Sequence, residues 1–430
     1  MKRRGFKGEI TVFLSLVFVL IVSLVGSMVQ SASIQITRSM KRADTELALE
    51  SVFAEYNKEM LEEYGLFVKL GRDEDKVSRR LWFYGAKNME HKIKRMQLLT
   101  DNDGGVFYEQ AIKAMGEDML PIQKVIDESV EKAEEQNSRE LEALLQEEKQ
   151  ELPTQDNPIE SVNQLKKSSL LSLTIPNPEE LSNQYVVLED LPSHRKLQKG
   201  TGSFHVSRKE GLVQNVLFVM YLAEHFPNFT RCSDSNPLLY EAEYLLVGKE
   251  SDQENLEIVA KKILSVRMAL NYAYLLTDKV KQAEAETAAT ALGTALKSPA
   301  LIGLIKQAIL FSWAYGESVL DLRTLYEGES VPIIKTSENW QLQLENLVKL
   351  GTADEVEEEK KIEEGMNYSD YIKAFLLMEK REVLCMRALD LMELNLGIRM
   401  DDCVTALEVE STLEMQMGIR DTFLTEFRYD

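Results

Sequence analysis

Histidine and cysteine are scarce in this chain, and the sites they would build are excluded with them. The four histidines, His91, His194, His205 and His225, stand far apart, with no HExxH pair and no CxxC, so the usual zinc spacings are missing. Three cysteines, Cys232, Cys385 and Cys403, are too few to staple 430 residues together, so stability has to come from packing. A Cys385–Cys403 bridge is conceivable. Leu384, Met386 and Leu389 around Cys385 nevertheless read as a buried helix face, where a free thiol is common. The sequence also lacks GxSxG, GxxxxGK[ST] and GxGxxG, and with them the nucleophile elbow and the phosphate-cradling loops of common hydrolases and nucleotide enzymes. No catalytic residue, metal ligand or cofactor site is therefore assigned, and a non-enzymatic protein is expected.

Positive charge is the next deficit. Fifty basic residues face 71 acidic ones, a formal charge of -21, and the tightest cluster of cations sits at the extreme N-terminus. Nucleic acid is excluded as a partner on that balance. The 44% hydrophobic content is that of a folded protein and argues against wholesale disorder.

What is present is one long apolar run. Ile10 to Val29 holds about twenty residues without a charge, enough as helix to cross a hydrocarbon core of about 30 Å. Lys2, Arg3, Arg4 and Lys7 precede it, so the positive-inside rule puts the N-terminus in the cytoplasm and the rest of the chain outside. A cleaved secretory signal is the competing reading, with Ser31, Ala32 and Ser33 as its cleavage site. The run is longer than the usual core of a signal and continues unbroken into a helical pattern, which favours a retained, single-pass anchor in the plasma membrane. Ser15, Ser23, Ser27 and Ser31 recur at multiples of four along it, with Gly26 beside them. Such a stripe either packs against another membrane helix or consists of hydroxyls bonded back to their own helix.

Beyond the span, periodicity predicts a mainly α protein. A cytoplasmic tail (1–9) and a transmembrane helix (10–30) lead into a helical stalk (31–69) that stops at Gly65. A helical region (70–152) follows, then a linker rich in Pro, Ser and Asn (153–205), then a helical C-terminal domain (206–430). Ser251 with Glu254 fits a capping box. Three places invite a site. Glu241 and Glu243 lie beside tyrosines. Glu317 and Asp321, four apart on a helix, could work as an acid–base pair or hold a cation, but with Arg323 nearby on an exposed surface they read as structural ion pairs. Lys335 to Trp340, after the break at Pro332, offers either a partner-binding groove or a tryptophan anchored in the core.

Several blocks resemble a known family. KGEITVFLSLVFVLIVSLVGSMVQSASIQ and ESVFAEYNKEMLEEYGLF near the N-terminus, with LLYEAEYLLVGKESDQENL, AILFSWAYGESVLDLRTL, VPIIKTSENWQ and DDCVTALEVE further on, are similar to uncharacterised membrane proteins of Gram-positive tight-adherence (Flp/Tad) pilus systems. The layout resembles the TadE/TadG-type pseudopilins. The resemblance implies a minor pilin-like or assembly factor whose partners are other membrane helices, apparatus proteins and membrane lipid. It also implies leader processing after Gly5, before Phe6, with Glu9 as the pilin glutamate. Glu9 would then be the fourth mature residue where the fifth is usual, and a plain interfacial glutamate remains the alternative. An extracytoplasmic sensor working with a transmembrane partner, or a cell-wall hydrolase using Glu317 or Glu241, are the other functional classes.

Overall fold

The computed structural model describes residues 7–116, 170–175, 177–202, 204, 211–232, 235–295, 297–349, 365–415 and 418–429. Gly5 and Phe6 lie outside the described residues, as do the charged stretch 138–152, the first part of the expected linker and the acidic insert 354–364. The protein is mainly α, as its periodicity predicts. It divides into two compact units, one from residues 1–102, 197–207 and 399–430, the other from residues 103–196 and 208–398.

Unit 1 is built on helix α1 (Lys7–Phe53), which contains no proline and only two glycines, Gly8 and Gly26. Its first half is long and apolar enough to cross a membrane and is exposed along its length. From Thr45 onward its character changes. Ala48, Leu49, Val52 and Phe53 are buried against Val77 and Leu81 of α3 (Glu74–Phe83) and against Ile93, Met96, Val404, Leu407 and Val409 of an antiparallel sheet. Burial of Leu49, Val52 and Phe53 contributes about 1.5–3 kcal/mol each.

The expected free stalk is thereby corrected. The helix stops at Phe53, and its last turns are part of a core. After a turn the chain forms α2 (Lys58–Tyr64), where Asn57 Oδ1 accepts the Met60 N–H at 2.7 Å. Gly65 closes α2 with φ 65°, the stop that the sequence predicts.

The sheet joins β1 (Lys69–Leu70), β2 (Met89–Leu98), β3 (Cys403–Glu414) and β4 (Arg420–Arg428), with β3 in the middle: β2 pairs along one edge, β1 and β4 along the other. Two helical expectations fail here, for residues 89–98 and for residues 403–428. Phe423 and Thr425 are buried while Thr422, Leu424 and Glu426 between and beside them are exposed, the period of a strand, and Val404, Thr405, Val409 and Thr412 are β-branched. Charged residues on the sheet pair across it: Arg95 with Glu408 and Glu426, and Lys94 with Glu410.

Unit 2 is helical: α4 (Asp101–Gly116, which begins at the unit boundary), α5 (Leu170–Thr174), α6 (Leu212–His225), α7 (Glu241–Val247), α8 (Asp252–Thr277), α9 (Lys279–Ala295), α10 (Ile302–Tyr326), α11 (Tyr368–Met378) and α12 (Arg381–Leu396). One core cluster gathers Leu275 of α8, Ala285 and Ala289 of α9, and Leu310, Trp313 and Val319 of α10. Leu170, Leu173, Leu181, Val186 and Leu191 are buried as well, so the supposed linker is, over its described residues between 170 and 196, a short α-helix and irregular chain packed into the unit. Ser251 precedes α8 without capping it. Asp252 takes that position inward instead, its carboxylate accepting from the Ser182 hydroxyl and from the Leu239 and Tyr240 N–H groups.

Candidate functional site

The residues that invite chemistry lie inside unit 2, in two polar clusters. The first forms around α10. Glu317 and Asp321 stand one turn apart on that helix and are completely buried, not on an exposed surface. Their partner is not Arg323, which donates to the Leu173 carbonyl at 2.8 Å. Lys335 Nζ reaches both, at 2.7 Å from Glu317 Oε1 and 2.8 Å from Asp321 Oδ1. Arg267 of α8 approaches from the other side and donates from Nε to Asp321 Oδ2 at 2.9 Å. Asn271, four residues further along α8, donates to the same oxygen at 2.8 Å.

Two carboxylates and two cations make the cluster neutral, which is the condition for burying charge without a large penalty. The remaining valences are filled by backbone. Arg267 donates to the carbonyls of Pro332 and Ile333 at 2.8 and 3.1 Å, and Glu317 Oε2 accepts the Leu342 N–H at 2.7 Å. Burial pushes the Glu317 carboxyl up from its ordinary value while Lys335 pulls the other way. Chemically this is a staple. It fixes the irregular segment Val331–Leu342 onto α8 and α10.

Lys335 and Trp340, the expected partner-binding pair, are brought together here, but inside: they are 2% and 6% exposed. Trp340 packs edge-on to Trp313 at 5.9 Å, and both indole N–H groups donate to the Leu342 carbonyl. No helix starts at Thr336. Its N–H donates to Asn339 Oδ1 in a turn.

The second cluster surrounds α7. Glu241 Oε1 accepts from Asn236 and Asn395 at 2.9 and 2.7 Å; Glu243 Oε1 accepts from the Phe229 N–H and the Tyr368 hydroxyl at 2.9 and 2.7 Å. The other oxygen of each carboxyl is buried without a hydrogen-bond partner among the described residues. Burial accordingly raises both carboxyls, each to about 7. Nearby, Asp390 of α12 ties three segments together, accepting from the Tyr244 hydroxyl at 2.9 Å and from the N–H and hydroxyl of Ser193. Burial raises this carboxyl too, against those hydrogen bonds.

Sequence reasoning singled out the glutamates but missed Arg267, Asn271, Asp252 and Asp390. For two of them a signal existed. Ile263, Arg267, Asn271 and Leu275 follow four-residue spacing on one face of α8, so a charge and an amide sat on an apolar stripe and needed buried partners.

The positions singled out on the apolar half of α1 belong to unit 1, the two clusters to unit 2. Ser15, Ser23, Gly26, Ser27 and Ser31 form an exposed stripe on α1. The Ser15 and Ser27 hydroxyls donate to the Val12 and Leu24 carbonyls at 2.8 Å, the self-bonded arrangement. Glu9 falls in the first turns of α1. All three cysteines are free thiols, with Cys385 and Cys403 buried and Cys232 exposed. No group of His, Cys, Asp and Glu side chains among the described residues could hold a metal ion.

A protein-family model described as a family of unknown function (DUF5702) matches residues 148–415. No curated protein and no solved structure matches the chain.

Proposed function

The chain belongs to the family of unknown function DUF5702, and from the resemblance of its sequence blocks and the layout of α1 we propose that it is a membrane-anchored, extracytoplasmic component of a tight-adherence (Flp/Tad type IV) pilus or a related secretion apparatus. It acts through protein–protein contacts as a minor pilin-like or assembly factor, with its N-terminus in the cytoplasm.

One observation carries the reading. The apolar half of α1 runs without interruption into turns that are locked in a folded core by Leu49, Val52 and Phe53. An anchor joined to its head by a flexible linker merely tethers it. A continuous helix with its far end buried transmits position and load between membrane and head, which suits a part that must stack with other subunits. Support also comes from the first polar cluster, where Glu317 is committed to structure, held by Lys335 and by the backbone of Gln341 and Leu342.

Deletion of the gene should abolish or sharply reduce surface pili while pilin synthesis continues. The same strain complemented with the wild-type chain should recover them. Normal pilus number and length in the deletion strain would refute the assignment.

A further inference from the structure

Two large aromatic side chains stand side by side in the open on unit 1. Trp82 and Phe83, at the end of α3, are 56% and 65% exposed, whereas the other two tryptophans, Trp313 and Trp340, are buried. Lys87, on the turn that follows, holds its ammonium 5.1 Å from the centre of the Trp82 ring. The Lys87 carbonyl in turn accepts from Lys41 Nζ of α1 at 3.5 Å. These contacts bring the Lys87 end of the aromatic corner beside the part of α1 around Lys41, while Tyr84, which packs on Phe83, donates to Glu55 past the end of α1.

The depth of that part follows from charge and length. The twenty-eight residues Ile10–Thr37 carry no charge. As helix they extend about 42 Å, which matches a bilayer of about 40–45 Å including its headgroups. Arg38, Lys41 and Arg42 are the first charges beyond, and they fall at the outer headgroup layer. Arg38 pairs with Asp421 at 3.1 Å and Lys41 with Asp44 at 3.0 Å, while Arg42 lies over the Phe423 ring. Ile36 and Met40 are exposed on the same stretch of helix. A chain with 21 negative charges in excess thus gathers cations and uncovered apolar groups at one level, the composition of a membrane–water interface.

We propose that the corner formed by Trp82, Phe83 and Lys87 rests in the lipid headgroup layer of the bilayer that α1 enters, as a second membrane contact of unit 1. The proposal rests on the reading of α1 as a membrane anchor. Tryptophan suits the place because its ring is apolar while its N–H still reaches water or a headgroup oxygen, and Lys87 complements anionic lipid. Two contacts, a helix through the bilayer and a corner upon it, fix the tilt of α1 and its rotation about its own axis, which a lone helix leaves free.

The test uses the full-length protein in vesicles of phosphatidylcholine and phosphatidylglycerol whose acyl chains are brominated just below the headgroup. The emission of Trp82 is obtained as the difference between the wild-type protein and a Trp82→Phe variant, which retains the buried Trp313 and Trp340. With Trp82 seated at the interface, that difference should fall by about half or more in brominated vesicles relative to unbrominated ones. Full emission from Trp82 in protein that floats with the vesicles would overturn this proposal and leave the anchor standing. Failure of the wild-type protein to float with the vesicles would overturn both.

Discussion

Replacing Lys335 by methionine removes one buried charge from a cluster that is neutral only as a foursome. Methionine keeps the length and most of the volume of the lysine stem, so packing is nearly preserved and the change is electrostatic. Two donations disappear, to Glu317 Oε1 at 2.7 Å and the Asn339 carbonyl at 3.2 Å, together with the ion pair to Asp321 Oδ1 at 2.8 Å. Glu317 and Asp321 are then left with Arg267 as their only cation, one negative charge in excess at completely buried positions. Removing one partner of a buried pair costs about 3–5 kcal/mol, against about 0–1 kcal/mol for an exposed one. Denaturant unfolding of the detergent-solubilised protein reads this directly, because Trp313 and Trp340 both donate to the Leu342 carbonyl and report the release of the stapled segment. The double variant Lys335→Met, Glu317→Gln restores neutrality and should recover roughly 1–3 kcal/mol of the loss. A single variant that unfolds within about 1 kcal/mol of wild type, or a double variant less stable than the single one, would refute the charge-balance argument.

Three further outcomes follow from other parts of the molecule. Glu241 and Glu243 ionise near 4.5 when unfolded and near 7 in the fold, so the fold binds the extra protons in between. Their contribution is complete below pH 4.5 and declines as pH rises through about 7, by up to about 3 kcal/mol for each group. Thermal melts across that range should show it, with Glu241→Gln flattening the decline; a melting temperature that climbs with pH would contradict the assignment. Gly104→Ala should destabilise unit 2 by about 1–3 kcal/mol, since φ is 80° and a new Cβ would sit 2.6 Å from the Cys385 Cβ. Cys385→Ala keeps that Cβ and should give no relief in the same melts. Leu49→Ala should loosen the seat of α1 on the sheet by about 2–5 kcal/mol without reducing flotation of the protein with vesicles, because Leu49 lies beyond the charge-free span.

The helices were legible because their signals are local. The unbroken apolar run, the stop at Gly65 and the apolar spacing of α6, α8 and α10 all report on neighbours within a turn or two. The sheet was harder to see. β2 and β3 are separated by about three hundred residues of sequence, and MEHKIKRMQL carries so many charges that its period of two is obscured. Those charges make sense only once Glu408 and Glu410 arrive opposite Arg95 and Lys94. The site was half legible for the same reason. Glu317 and Asp321 could be paired by spacing, but an acidic helix face looks exposed until Lys335 and Arg267 are brought to it by the tertiary fold.

The placement of β3 at the centre of its sheet also dictates an order of events during synthesis. β2 is made first, and the strand that pairs with it follows only about three hundred residues later, together with β4 beside it. Until then the apolar side of α1 from Ala48 to Phe53 has no sheet strand of β3 to cover it. Unit 1 is thus finished only with β3 and β4, and a chain truncated before residue 403 would leave a greasy surface where holdases and proteases recognise incomplete products. Synthesis of β3 is what closes the core around the last turns of α1.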